Sequence, residues 1–175
     1  LLFSVVFAFP ALAQIFEPVK WSFKQKKIKD NIVELQLIAT IDDNWHLYSQ
    51  DIPEGGAITT SFTFKENDSY KLIGKVSEPK PTEEFDPNFD MVLKYFSNKA
   101  VFKQRIEVLS EKDFILEGEL EYMCCDDKSC LPPQIVDYSF NIKGYKQSEV
   151  ETTKEDTAEV GSSLEKVAET DSSDS

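Results

Sequence analysis

Residues 114–133 read FILEGELEYMCCDDKSCLPP. The first ten alternate with period two, which is the signature of a half-buried β-strand. Phe114, Leu116, Leu120, Tyr122 and Cys124 point one way. Ile115, Glu117, Glu119, Glu121, Met123 and Cys125 point the other. The first set is the core face, so this strand predicts a buried Cys124 and a Cys125 near solvent. The three cysteines of the chain all lie in this stretch. A buried thiol behaves as a small inert hydrophobe, whereas an accessible one can exchange. Cys125 is therefore the better partner for Cys130, across Asp126, Asp127, Lys128 and Ser129. Pairing of Cys124 with Cys130 stays open, because bulges are common at strand ends.

The same alternation runs through the preceding hundred residues. Val33, Leu35, Leu37, Ala39 and Ile41 alternate with Glu34, Gln36, Ile38 and Thr40. Trp21 and Phe23 predict an earlier strand, closed by a polar turn over Lys26 to Asn31. Further strands are expected at Trp45–Ser49, Ser61–Phe64, Lys71–Val76, Val101–Leu109 and Ile135–Ile142, with turn signals between them. About eight short strands at this spacing predict an all-β fold, an immunoglobulin-like antiparallel β-sandwich. One connection stands apart. Glu78 to Asn98 carries three prolines, four acids in its first half, and Phe85, Phe89, Tyr95 and Phe96. Long loops in compact domains are functional or disordered, and the aromatic content speaks for function.

Composition sets the limits around this domain. The chain has 175 residues and a formal net charge of -13, which makes nucleic acid and anionic lipid surfaces poor partners. Leu1 to Ala13 is apolar and ends in Ala11-Leu12-Ala13, the pattern of a secretory signal peptide remnant. Export places the cysteines where disulfides persist. Residues 14–145 form the expected domain. Residues 146–175 hold nine acids against three bases and no aromatic, and read as a disordered acidic linker or tail.

The cysteine cluster admits three chemistries. A stapling disulfide is the ordinary fate of exported cysteines, but a loop this short constrains the unfolded chain only modestly. Short loops are also more readily reduced, which suits exchange. Asp126 and Asp127 would raise a neighbouring thiol pKa, with Lys128 partly offsetting them. A zinc site of three cysteines with His46, the sole histidine, is the weakest option, because the cysteine spacing lacks the usual hook. His46 is expected as a packed or hydrogen-bonded strand residue, and no metal or cofactor is expected.

Tyr122-Met123-Cys124-Cys125 through Cys130-Leu131-Pro132-Pro133 resembles the N-terminal periplasmic domain of the DsbD family of thiol:disulfide interchange proteins. Counting from Tyr122, the resemblance puts the first family cysteine on Cys125 and leaves Cys124 as an extra. Asn44 to Ser49, with His46 and Tyr48, resembles the family's early aromatic strand beside the cysteines. Glu83-Glu84-Phe85 resembles its cap loop, which implies Phe85 as the shield of the disulfide, with Phe89 in reserve. The resemblance implies a catalytic pair, Cys125 and Cys130, with Glu83, Glu84, His46 and Tyr48 tuning access and protonation. It also implies a periplasmic domain, tethered to the inner membrane in a longer protein. Its partners would be a membrane-embedded reductase domain, a thioredoxin-like domain and exported thioredoxin-fold disulfide proteins. The competing expectation is an exported β-sandwich binding module whose disulfide is purely structural.

Overall fold

A computed structural model describes residues 16–146. The readings of residues 1–13 as an export signal and of 147–175 as acidic linker fall outside the described residues. The strands are β1 (Val19–Lys29), β2 (Ile32–Ile41), β3 (His46–Tyr48), β4 (Ser61–Phe64), β5 (Tyr70–Ser77) and β6 (Thr82–Asp86). They continue with β7 (Met91–Phe96), β8 (Lys99–Val108), β9 (Phe114–Tyr122), β10 (Cys124–Cys125) and β11 (Gln134–Ile142). All pair antiparallel, in three sheets ordered β1-β2-β8-β5, β11-β9-β4 and β10-β3-β7-β6.

The first two sheets make the sandwich. Leu35, Leu37, Ala39 and Ile41 of β2 and Phe102 and Ile106 of β8 face Leu116 and Leu120 of β9 and Tyr138 and Phe140 of β11 in one core. Each fully buried Leu or Ile contributes about 1.5–3 kcal/mol relative to exposure. Trp21 of β1 bridges the layers, its ring 5.6 Å from Tyr122 and 5.8 Å from Phe102. Gly118 is the one gap in the alternation of β9. A Cβ there would collide with the Thr63 carbonyl oxygen and the Tyr138 ring. Tyr138 fills that gap and its hydroxyl donates to Thr63 O at 2.9 Å, so the missing side chain is a packing requirement.

Three expectations change. The turn placed over Lys26 to Asn31 is much tighter, because β1 continues to Lys29 with Lys26 opposite Glu34 and Lys27 opposite Val33. Asp30, at φ 47, makes the reversal in the left-handed region that Asp tolerates. The irregular connection from Glu78 to Asn98 is an ordered hairpin, β6–β7. Its prolines lie at Pro79 and Pro81 before β6 and at Pro87 after it, so none removes a ladder donor. The strand expected to run to Met123 ends at Tyr122. After Met123 the chain changes sheets, and Cys124–Cys125 pairs with Leu47 and His46 instead of continuing beside β11.

Candidate functional site

The third sheet caps one end of the sandwich and builds the site. Its strands alternate like the others, and its two faces have different surroundings. Cys124, Leu47 and Phe96 lie in one cross-strand row and enter the main core. Cys125 lies opposite His46, and Tyr48 opposite Tyr95, on the other face. That face carries a second apolar cluster of Tyr48, Ala57, Leu93 and Cys125, with Phe89, Met91, Tyr95, Met123 and Cys130 packed against it.

Cys125 and Cys130 form a disulfide, and Cys124 is a free, buried thiol. Cys124 sits on the core face, where burial pushes its thiol up to about 11. The expectation of a solvent-near Cys125 is corrected: it is fully buried. Alternation does turn Cys125 away from the main core. The β6–β7 hairpin, which the alternation of β9 could not reveal, covers that second face. Cys130 is only half-buried and is the more accessible of the two residues.

The loop between the cysteines is held by its own acid. Asp126 Oδ1 accepts from the backbone N–H groups of Lys128 and Ser129 at 2.8 and 2.7 Å. These bonds hold the Asp126 carboxyl below the usual carboxylate range. Asp126 N–H in turn donates to Ser129 O at 2.9 Å. From the hairpin tip, Asn88 Nδ2 donates to the Asp126 carbonyl at 2.9 Å, tying the cap to the cysteine loop.

Beside the disulfide lies a buried polar group centred on Asp86, 2% exposed. The Tyr48 hydroxyl donates to Asp86 Oδ2 at 2.6 Å, and the Asn88 N–H donates to Oδ1 at 2.8 Å. His46 Nε2 is 3.3 Å from Asp86 Oδ2 and 3.1 Å from the Tyr48 hydroxyl. Since the one hydroxyl proton of Tyr48 serves Asp86, Nε2 carries a hydrogen and donates to this pair. Burial, then the bond to Asp86, pushes the Tyr48 phenol far above its ordinary range. Tyr95 is pushed up to about 12, first by burial and then by its 2.7 Å bond to Glu84.

The structure brings together Cys125, Cys130, His46 and Tyr48, with Glu84 joined through Tyr95. It does not bring in Phe85 or Glu83. In β6, Glu84 and Asp86 share the site face, while Glu83 and Phe85 point the other way, opposite Lys94 and Val92. Phe85, the residue implied as the shield, is 59% exposed and points away from the disulfide cluster. Phe89, from the β6–β7 turn, packs into the disulfide cluster with its ring 5.8 Å from Tyr48. The turn that aims it ends at Asp90, with φ 54. Sequence reasoning missed Asp86 and Asn88. The available signal was Asp86-Pro87-Asn88, a turn-forming run two residues beyond Glu84 and so on the Glu84 face. Among the described residues, no cluster of three or more His, Cys, Asp or Glu side chains is arranged to hold a metal ion.

Among curated proteins, none matches the chain. The fold is similar to the N-terminal periplasmic domain of ScsB from Proteus mirabilis, at 17% identity and a TM-score of 0.51, covering 78% of this chain and 49% of that one. The reduced DsbD N-terminal domain of Neisseria meningitidis aligns at 21% identity and a TM-score of 0.45, over 71% of this chain and 86% of that one. The DsbD N-terminal domain in complex with the PilB N-terminal domain, also from Neisseria meningitidis, aligns at 17% identity and a TM-score of 0.45, over 77% and 93%. The family model for the N-terminal region of the thiol:disulfide interchange protein DsbD matches residues 13–141, and the chain belongs to that family.

Proposed function

We propose that this domain relays electron pairs through Cys125 and Cys130, as an exported thiol:disulfide interchange module. The observation that carries the reading is the asymmetric burial of the pair, with Cys125 enclosed and Cys130 only half-buried. An incoming thiolate attacks Cys130 Sγ and forms a mixed disulfide, and Cys125 leaves as a thiolate that takes up a proton. A second thiolate of the donor then attacks its own sulfur in that mixed disulfide and releases Cys130 as a thiolate. The donor becomes a disulfide and the domain a dithiol, a two-electron transfer. The reverse sequence reduces an acceptor disulfide, with Cys130 attacking and Cys125 resolving. In this reading Phe89 and the hairpin restrict which thiols reach Cys130.

The proposed donor is a membrane-embedded reductase domain, and the proposed acceptors are thioredoxin-fold proteins of the periplasm. Family membership and the periplasmic domain named for the ScsB neighbour support that setting.

Single-cysteine variants test the reading. Cys125→Ser is expected to trap a mixed disulfide through Cys130 with a thioredoxin-fold disulfide protein, while Cys130→Ser traps little. A native disulfide that resists dithiothreitol, together with no trapped species from either variant, would leave a structural staple in a binding module.

A further inference from the structure

The charge of this chain is segregated across the sandwich. On the outer face of the first sheet, register places Lys24, Gln36 and Lys103 in one cross-strand row, and Lys26, Glu34 and Arg105 in the next. Lys71 lies beside Glu107 in the next strand pair. Lys75 lines a shallow groove on that face with Lys103 and Arg105. Lys20 and Lys99 flank Thr40 at the far end. The acids among them are Glu34, Glu107 and, at the far end, Asp42; Arg105 Nε is 3.8 Å from Glu34 and Lys20 Nζ is 3.9 Å from Asp42. The opposite outer face is acidic. Glu117, Glu119 and Glu121 of β9 share a face, with Asp137 of β11 beside Glu119. A chain of net charge -13 thus presents one sheet face dominated by cations.

We propose that this basic face is the docking surface of the chain's own acidic segment, residues 147–175. Three observations choose this occupant. First, the segment has complementary charge, with nine acids against two bases and five of the acids already within Glu149 to Glu159. Second, it starts near the face. Tyr145 N–H donates to Ser110 O at 2.9 Å and its ring lies 5.7 Å from Lys27 Nζ, so the chain leaves the fold at the β1–β2 end of this sheet, on the core side of β1, and has only that edge strand to pass to reach Lys24 and Lys26. Third, its reach fits. Lys24 lies five residues from the end of β1, roughly 17 Å at strand rise, and about ten residues of coil span a comparable distance. The acidic face of the second sheet repels the same segment. Each exposed ion pair is weak and screened, but the tether supplies a high effective concentration and many pairs act together. The docked segment neutralises a surface that could otherwise hold anionic lipid or an acidic partner.

The test uses the oxidised 175-residue chain. Zero-length carbodiimide coupling joins contacting amines and carboxylates, and mass spectrometry maps the products. Lys112 is the control, because its turn lies beside Gly144 at the start of the segment. Docking predicts that acids of 149–159 couple to Lys24, Lys26 and Lys103 several-fold more than to Lys112. The preference should vanish at about 1 M salt, where the Debye length is about 3 Å. Lys103→Gln with Arg105→Gln should also lower coupling at Lys24 and Lys26. Independently, Glu149→Gln, Glu151→Gln, Glu155→Gln, Asp156→Asn and Glu159→Gln together should shift the amide resonances of Lys24, Gln36, Lys103 and Arg105. Coupling led by Lys112 or spread evenly over exposed lysines, or resonances unmoved by the five substitutions, would overturn the proposal. So would cosedimentation with phosphatidylglycerol vesicles that is as strong for the parent chain as for the five-site variant, which would assign the face to a lipid surface.

Discussion

The Tyr48 hydroxyl donates a 2.6 Å hydrogen bond to the carboxylate of Asp86, 38 residues away in sequence and itself 2% exposed. The bond fastens the short β3 strand, which pairs with Cys124–Cys125, to the end of β6 in the cap hairpin. A buried charge is costly unless several donors meet it, and Asp86 has Tyr48, Asn88 and His46 around it.

Tyr48→Phe removes one of those donors and leaves the carboxylate partly unsatisfied. The expected loss is about 1.5–3 kcal/mol, the range for a hydrogen bond to a charged group. Denaturant unfolding of the oxidised protein measures it as a lower midpoint at unchanged slope. A midpoint equal to the parent's would show that Asp86 does not depend on Tyr48 for its burial.

Phe89 and Phe85 sit four residues apart on a hairpin, yet their substitution should have different effects. Phe89→Ala opens the cluster over the Cys125–Cys130 disulfide, so reduction by dithiothreitol should accelerate several-fold. Its stability cost should be about 1–2 kcal/mol, below the value for a fully buried Phe. Phe85→Ala, on the exposed face beside Val92, should leave the rate of reduction unchanged. The opposite ranking of the two variants would put the lid on Phe85.

Cys124 should make the fold sensitive to alkali. Burial raises its thiol from 9.0 to about 11, so the folded state holds the proton more tightly than the unfolded state. That contribution is fully present below about pH 9 and is lost as pH rises through about 11, with a slope of at most about 1.4 kcal/mol per pH unit. Tyr95 and Tyr122, each pushed up to about 12 by burial, add their own loss at higher pH. Denaturant midpoints across this range should fall less steeply for Cys124→Ala than for the parent. Equal slopes would mean that Cys124 titrates alike in both states. At neutral pH the same burial should keep Cys124 unalkylated in the native protein.

The sandwich was legible because its signal is local. Period-two alternation in β2, β8, β9 and β11 needs only neighbouring residues, and these strands carry the main core. The end of β1 differs from the expected turn because Lys24 to Lys29 holds a single apolar residue, Ile28, and without a repeated apolar face alternation has nothing to mark. The hairpin β6–β7 was hidden for a related reason. Its prolines and acids look like loop punctuation, although the backbone places them just outside the ladder.

By itself the sequence determined the all-β class, the core-facing residues of the long strands, the orientation of Cys124 towards that core, and the family resemblance carried by the cysteine motif. Only the tertiary structure decided what covers the other face. Whether Cys125 meets solvent, whether Phe85 or Phe89 reaches the disulfide, and whether Asp86 is a surface acid or a buried acceptor all depend on where a hairpin forty residues upstream lays its two faces. Alternation assigns a residue to a side of its own strand. What lies on that side is set by strands far away in sequence.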